Sequence, residues 1–163
     1  MAGDHGGNVT RIGIEHALAG SVPIEQRGGK IAGAALTTVV ALVKPRAKTL
    51  NELAEEAMLF YGPHHADAAL LREHLVGKSL DAVCAFVERA ATTTWDRTQI
   101  SGLLKQLLAE QGIKMPQLAV PLRVAVTGRT QTPSIDAVLE LLGRDEVLAR
   151  LRGSLDSIAS PPA

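Results

Sequence analysis

The sequence predicts an all-α fold, and three observations carry that prediction. Hydrophobic residues make up 46% of the chain but aromatics only 2%, so Leu, Val and Ala must fill the interior, which suits packed helices better than aromatic-rich strands. Apolar residues recur at helical spacing through most segments after residue 34. Start and stop chemistry brackets those segments, with Thr49, Ser79, Asp96 and Thr132 ahead of them and Gly62-Pro63, Gly112 and Gly143 behind. The 163 residues allow one domain or two small lobes sharing a core. The expectation is a bundle or cage of about seven helices, without strands or internal repeats.

Taken in order, Met1 to Lys30 reads as poorly structured, because Gly3, Gly6, Gly7, Gly13, Gly20, Gly28 and Gly29 interrupt every periodic run. Arg11 to Leu18 has room for a short helix. Ala34 to Val43 is continuously apolar, with Leu36, Val39, Val40 and Val43 at helical spacing. Pro45 ends or kinks that helix, since it lacks an amide donor and restricts Lys44. Thr49-Leu50-Asn51-Glu52 has the form of a capping box. Leu50, Leu53, Ala54, Ala57 and Met58 then form one buried stripe, which Gly62-Pro63 stops. A shorter helix follows from about Ala66 to Leu75.

Ser79 caps the next helix, where Leu80, Val83, Cys84 and Val87 fall at i, i+3, i+4 and i+7. Asp96 caps a strong helix with Ile100, Leu103, Leu104, Leu107 and Leu108 on one face, and Gly112 closes it in left-handed backbone. Met115 to Val126 fits either a helix entered at Pro116 or Pro121, or an extended piece. Thr132-Pro133 reads as a cap followed by a proline in the first turn, with Ile135, Val138, Leu139 and Leu142 inward and Gly143 at the end. A last helix from about Arg144 buries Val147, Leu148, Leu151 and Leu155. The domain reading is an unstructured segment at 1–30, a helical domain at 31–158 with lobes 31–78 and 79–158, and a tail at 159–163.

Charge is balanced, with 17 basic and 17 acidic residues, yet it is sorted along the chain. Gln26 to Asn51 holds no acid, against Arg27, Lys30, Lys44, Arg46 and Lys48. Glu52 to Asp96 reverses the sign. Gln111 to Ile135 is again acid-free, with Lys114, Arg123 and Arg129. Such sorting gives a neutral protein one positive face, and an acid-free loop rich in Thr, Gly and Arg on a helical scaffold suits a polyanion. Blocks that intermingle on folding would erase that face.

The single Cys84 excludes an internal disulfide and a multi-cysteine metal cluster, and reads as a small buried hydrophobe. There is no signal-peptide pattern and no apolar run near the about 20 residues that span a bilayer, so the expectation is a cytoplasmic protein with no membrane partner. No Gly-rich phosphate loop and no Gly-x-Ser-x-Gly elbow occurs. His64 and His65 would point about 100° apart on a helix and do not make an i, i+4 metal pair. Glu52, Glu55 and Glu56 read as a solvated acidic face, not a general acid/base pair. No catalytic, cofactor-binding or metal-binding residue is assigned.

The last third carries the densest pattern: Pro121-Leu122-Arg123-Val124-Ala125-Val126-Thr127-Gly128, then Thr132-Pro133-Ser134-Ile135, then Leu141-Leu142-Gly143. Earlier come Val43-Lys44-Pro45-Arg46-Ala47-Lys48-Thr49-Leu50, Phe60-Tyr61, and Trp95 opening a helix that runs to Glu110-Gln111-Gly112-Ile113-Lys114. In order and spacing these segments resemble the C-terminal anticodon-binding region of bacterial glutamyl-tRNA synthetases, from about Ile31 to Leu155. Met1 to Lys30 does not resemble the catalytic or stem-contacting domains that precede this region in the family. The chain is accordingly expected to be a fragment, a truncated product or a free-standing module.

The resemblance implies an α-helical cage that takes the anticodon loop of glutamate tRNA, as a monomer, with a synthetase catalytic domain in cis or in trans. ATP and glutamate would bind that catalytic domain, and no cofactor belongs to this chain. The class I signatures, His-x-Gly-His and Lys-Met-Ser-Lys-Ser, are missing; Lys114-Met115-Pro116 shares only its first two residues with the second.

The resemblance also implies roles. Arg46 matches the arginine associated with the third anticodon base, a cytosine in glutamate tRNA. A guanidinium presents paired donors to O2 and N3 of cytosine, whereas guanine offers donors at N1 and N2. The competing role for Arg46 is an ion pair with a nearby acid. Arg123, Thr132 and Ile135 match base-contacting positions, although Ile135 read alone is core and Thr132 also caps its helix. Arg129, exposed between Gly128 and Thr130, is a candidate phosphate contact, and Lys44 and Lys48 flank Arg46 in one basic run. Trp95 and Tyr61 offer stacking surfaces, with Trp95 read as a core staple between helices. The alternatives are a free-standing tRNA-binding module, a non-functional remnant, or a helical protein-interaction domain that uses the Glu52, Glu55 and Glu56 face.

Overall fold

The computed structural model describes residues 36–61, 64 and 66–160. Over these residues the chain forms eight α-helices and one short 3-10 turn, with no strand, so the all-α expectation holds with one helix more than was counted. The readings made for residues 1–35, Gly62-Pro63 and His65 lie outside the described residues. Among the described residues, no helix is long and apolar enough to cross a membrane.

The chain divides into two compact units between Gly62 and Pro63. In the first, α1 (Leu36–Val43) runs into the 3-10 turn Lys44–Arg46, and α2 (Leu50–Tyr61) follows. Pro45 sits inside the turn and Ala47 is extended, so the chain leaves the axis of α1 where the proline predicted. The two helices pack together and bury Val39 and Val43 from α1, and Leu53, Ala54, Ala57 and Phe60 from α2. At the start of α2 the Thr49 hydroxyl accepts the Glu52 amide at 3.2 Å. The Glu52 carboxylate accepts the Lys48 amide at 2.7 Å, one residue earlier than the capping-box form requires. Leu50, expected in the buried stripe, is 52% exposed. Leu50, Asn51 and Glu52 at the start of α2 all face solvent, and Phe60 completes the apolar face at the other end.

The second unit holds α3 (Ala68–His74), α4 (Gly77–Ala90), α5 (Arg97–Gln111), α6 (Met115–Thr127), α7 (Ile135–Leu142) and α8 (Arg144–Ala159). Helix α6 is its hub and packs against the other five. Leu118, Ala119, Pro121, Leu122, Val124, Ala125, Val126 and Thr127 are all buried. A helix surrounded this way is apolar nearly all round and shows no single-face period, which is why the sequence left this stretch open between helix and extended chain. Pro116 suits its first turn. Pro121 deprives the Gln117 carbonyl of a helical donor, but Gln117 lies on the exposed first turn, where water can serve it.

Several expectations for this unit are corrected. Helix α3 packs on α6 and α8 and buries Leu71, so it belongs here and the division falls at Gly62–Pro63, not after Lys78. Helix α4 begins at Gly77, with Val76 at the cap position; Ser79 lies in the first turn and is not the cap. Its buried face is Ala82, Val83, Phe86 and Ala90. Cys84 is exposed, and Leu80 and Val87 are half-buried. The small alanines allow close approach to neighbouring helices and Phe86 supplies the volume, so packing selects a face rotated from the aliphatic stripe. On α5, Asp96 caps as expected, accepting the Gln99 amide at 2.9 Å, and Gly112 closes the helix at φ 61°. Helix α8 reaches Ala159 and buries Val147, Leu148 and Leu151, together with the polar Arg150 and Ser154, while Leu155 is half-buried.

Candidate nucleic-acid interface

In the first unit, Lys44, Arg46 and Lys48 are exposed on the 3-10 turn and the link that follows it. Arg46 Nε stands 3.8 Å from Glu56 Oε2, on a carboxylate side chain only 17% exposed. The basic run and the acidic helix thus fold onto each other at this point, and Glu56 is not part of a solvated face. An ion pair in which the arginine stays exposed is weak, about 0–1 kcal/mol, so it is readily exchanged for another acceptor.

In the second unit, the sequence-predicted residues gather where α6 ends and α7 begins. Arg123 lies in the last turns of α6 and is half-buried, as is Arg129; the latter is less exposed than its glycine-flanked position suggested. One hydroxyl joins them. Thr127 Oγ1 donates to the Arg123 carbonyl at 2.7 Å and accepts the Arg129 amide at 3.1 Å. Gly128, at φ 73°, donates its amide to the Val124 carbonyl, as a left-handed helix terminus requires.

Two further carbonyls at this helix end are served from α8. Arg150 Nη1 donates to the Val126 carbonyl at 2.9 Å, and Ser154 Oγ donates to the Ala125 carbonyl at 2.8 Å. Lys114, although in the same acid-free stretch, lies at the opposite end of α6, about 20 Å away along the axis. The acid-free residues therefore do not form one patch.

The start of α7 is held from α5. Arg97 Nε donates to Asp136 Oδ2 at 2.8 Å, its Nη2 donates to Ser134 Oγ at 3.1 Å, and its backbone amide donates to Glu140 Oε1 at 3.0 Å. Burial pushes the Asp136 carboxyl up, but hydrogen bonds from Arg97, the Ser134 hydroxyl and the Ala137 amide outweigh it and hold the group below the usual carboxylate range.

The cap position of α7 is Ser134, not Thr132. Thr132 is buried and its hydroxyl donates to the Pro133 carbonyl at 2.9 Å. Ile135 is 5% exposed and joins Val138, Leu139 and Leu142 on the inner face of α7. Trp95 acts as the staple expected of it: its Nε1 donates to the Leu139 carbonyl at 3.0 Å, and Arg144, which also donates to the Thr93 carbonyl, lies 6.0 Å from the ring centre.

Residues 17–155 match the family model described as an anticodon binding domain. The chain belongs to the anticodon-binding domain family. This anticodon-binding domain is similar to the glutamate–tRNA ligase of Bordetella parapertussis, 54% identical over 138 residues that cover 83% of this chain and 29% of that protein. It is also similar to the glutamate–tRNA ligase of Cupriavidus metallidurans, 56% identical over 130 residues covering 78% and 28%. In fold it is similar to a crystal structure of a glutamate tRNA ligase from Elizabethkingia meningosepticum, with TM-score 0.75 and 16% identity over 93% of this chain and 29% of that one. The resemblance to glutamyl-tRNA synthetases is thereby borne out, and the chain spans less than a third of the length of these relatives. The match also extends the family region back to residue 17. The motifs had placed the start of the resemblance at about Ile31, so the matched region begins earlier than they indicated.

Four residues of this domain's candidate interface were not singled out in the sequence: Arg97, Thr127, Arg150 and Ser154. Arg150 and Ser154 did leave a trace, as polar residues at i, i+4 beside the apolar stripe of α8.

Proposed function

We propose that this domain binds the anticodon loop of glutamate tRNA in the cytoplasm, as part of a glutamate–tRNA ligase. It would supply affinity and anticodon discrimination to a catalytic domain that uses ATP and glutamate. The observation that carries this reading is the 54% identity over 138 residues to a glutamate–tRNA ligase. Lys44, Lys48 and Arg129 contribute phosphate contacts, so affinity falls as salt rises. Arg46 leaves Glu56 and donates to the third anticodon base, accepting cytosine and rejecting guanine. Arg123 and the Thr132 segment contact the other bases. Each well-made base contact is worth about 1–3 kcal/mol, by analogy with duplex readout.

The test is a binding titration against glutamate tRNA, and against the same tRNA with its third anticodon base changed from cytosine to guanine, at low and physiological salt. A several-fold preference for cytosine that disappears in Arg46→Gln is expected. Equal, salt-sensitive binding to both tRNAs would overturn the role of Arg46. Failure of the folded protein to bind even at low salt would overturn the tRNA reading itself.

A further inference from the structure

We infer that Arg150, a cation on α8, is a positioning residue for the anticodon-contacting segment Arg123–Thr132 and not a phosphate contact; its link to tRNA rests on the function proposed above. An α-helix ends with carbonyls that have no helical donor. At the end of α6, the Val124 carbonyl is taken by the Gly128 amide, the Ala125 carbonyl by Ser154, and the Val126 carbonyl by Arg150.

Arg150 is 7% exposed, whereas the other lysines and arginines among the described residues face solvent or lie half-buried. Its Nε is held at 2.6 Å by Glu146, one turn earlier on α8. It also lines a cleft of about 360 Å³ together with His64, Gly153, Ser154 and Ser157. Two of its nitrogens are nevertheless spent on Glu146 and the α6 backbone, so the cation works inward. A positive charge at a helix C-terminus is also favoured by the helix dipole.

The consequence passes to the candidate interface through Thr127. Its hydroxyl bonds both the Arg123 carbonyl and the Arg129 amide, and it immediately follows Val126 in the chain. Releasing the Val126 carbonyl frees this last turn, so Arg123 and Arg129 lose their fixed spacing together. Arg150 therefore acts on bases it does not touch, by fixing the backbone from which two arginines are presented.

The experiment uses the whole chain and two readouts: amide hydrogen exchange at Gly128 and Arg129, and titration with glutamate tRNA over a series of salt concentrations. In Arg150→Met, exchange at these two amides should rise at least ten-fold while amides of α4 and α5 stay unchanged. Binding should weaken several-fold with the salt dependence intact. Arg150→Lys keeps one donor for the Val126 carbonyl and should recover most of both effects. Arg129→Ala, by contrast, should lower the slope of log affinity against log salt by about 0.7, the value for one phosphate on a single strand.

Unchanged exchange at Gly128 and Arg129 would overturn the inference. So would a loss of salt slope in Arg150→Met like that of Arg129→Ala. If Arg150→Met does not fold, Glu146→Ala decides, since it removes from an exposed position the hydrogen bond that holds the Arg150 guanidinium: raised exchange confined to Gly128 and Arg129 supports the inference, and unchanged exchange overturns it. Should the wild-type protein not bind tRNA, the functional reading fails, while the exchange measurements still decide whether Arg150 holds the segment.

Discussion

Single residues in this domain behave according to what their polar atoms meet, and Asp136 shows it most clearly. Its carboxylate is partly buried, yet three hydrogen bonds keep it ionised below the usual range. A carboxyl with a depressed native pKa adds stability that is fully present above the unfolded value, about 3.9, and is lost as pH falls through the native value. Asp136→Asn should therefore lower the urea midpoint at pH 7. The gap between wild type and variant should narrow as pH drops below about 4, because the wild type then loses the charge that the variant never had. A constant gap across that range would show that the carboxylate charge is not what holds the start of α7. Trp95 follows the same logic, since its only polar atom is bonded to the Leu139 carbonyl. That bond and Arg144 over its ring hold the indole as a staple between helices.

At the scale of the element, local chemistry decides where helices stop, and two glycines on or after α5 make opposite predictions. Gly112 sits at φ 61° with open space where a Cβ would go. Gly112→Ala is therefore expected to cost about 1 kcal/mol through backbone conformation alone, and Gly112→Asn less. Gly102 lies inside the helix, also with open space around it, so Gly102→Ala should stabilise by about 0.5–1 kcal/mol. Thermal unfolding of the two alanine variants should move the midpoint in opposite directions; movement in the same direction would contradict the helix-end assignment. These ends were legible in the sequence because a cap or a left-handed glycine is a matter of neighbouring residues. Helix α6 was not legible as a helix, since its packing partners lie on every side and leave no polar stripe to reveal the period. Helix α4 was legible as a helix but not in its orientation. A stripe of Leu, Val and Cys looked more apolar than the Ala and Phe face that the neighbouring helices select.

For the molecule as a whole, balanced charge conceals a sorted sequence, and folding keeps only part of the sorting. Arg46 of the basic block meets Glu56 of the acidic one, so the two neutralise each other at that point, and Arg89 and Arg97 are paired with Glu110 and Asp136. The candidate contacts instead collect on one turn of the first unit and at one end of α6 in the second. The second unit's core depends on large buried side chains, and Phe86 is fully buried among them. Phe86→Ala should cost about 3–5 kcal/mol, measured by urea unfolding followed through the single Trp95. A loss below 1 kcal/mol would mean that α4 packs on another face.

The sequence by itself determined the helical class, most helix ends and the family, because these reside in composition, in residues a few places apart, and in motifs met in a set order. Tertiary structure alone decided where the chain divides into units and which face of α4 is buried. It also decided that Arg150, Ser154 and Arg97 hold the candidate interface. Those three reach partners 24, 29 and 39 residues away. A hydrogen bond across that separation depends on how helices pack, and no local pattern of residue types encodes it.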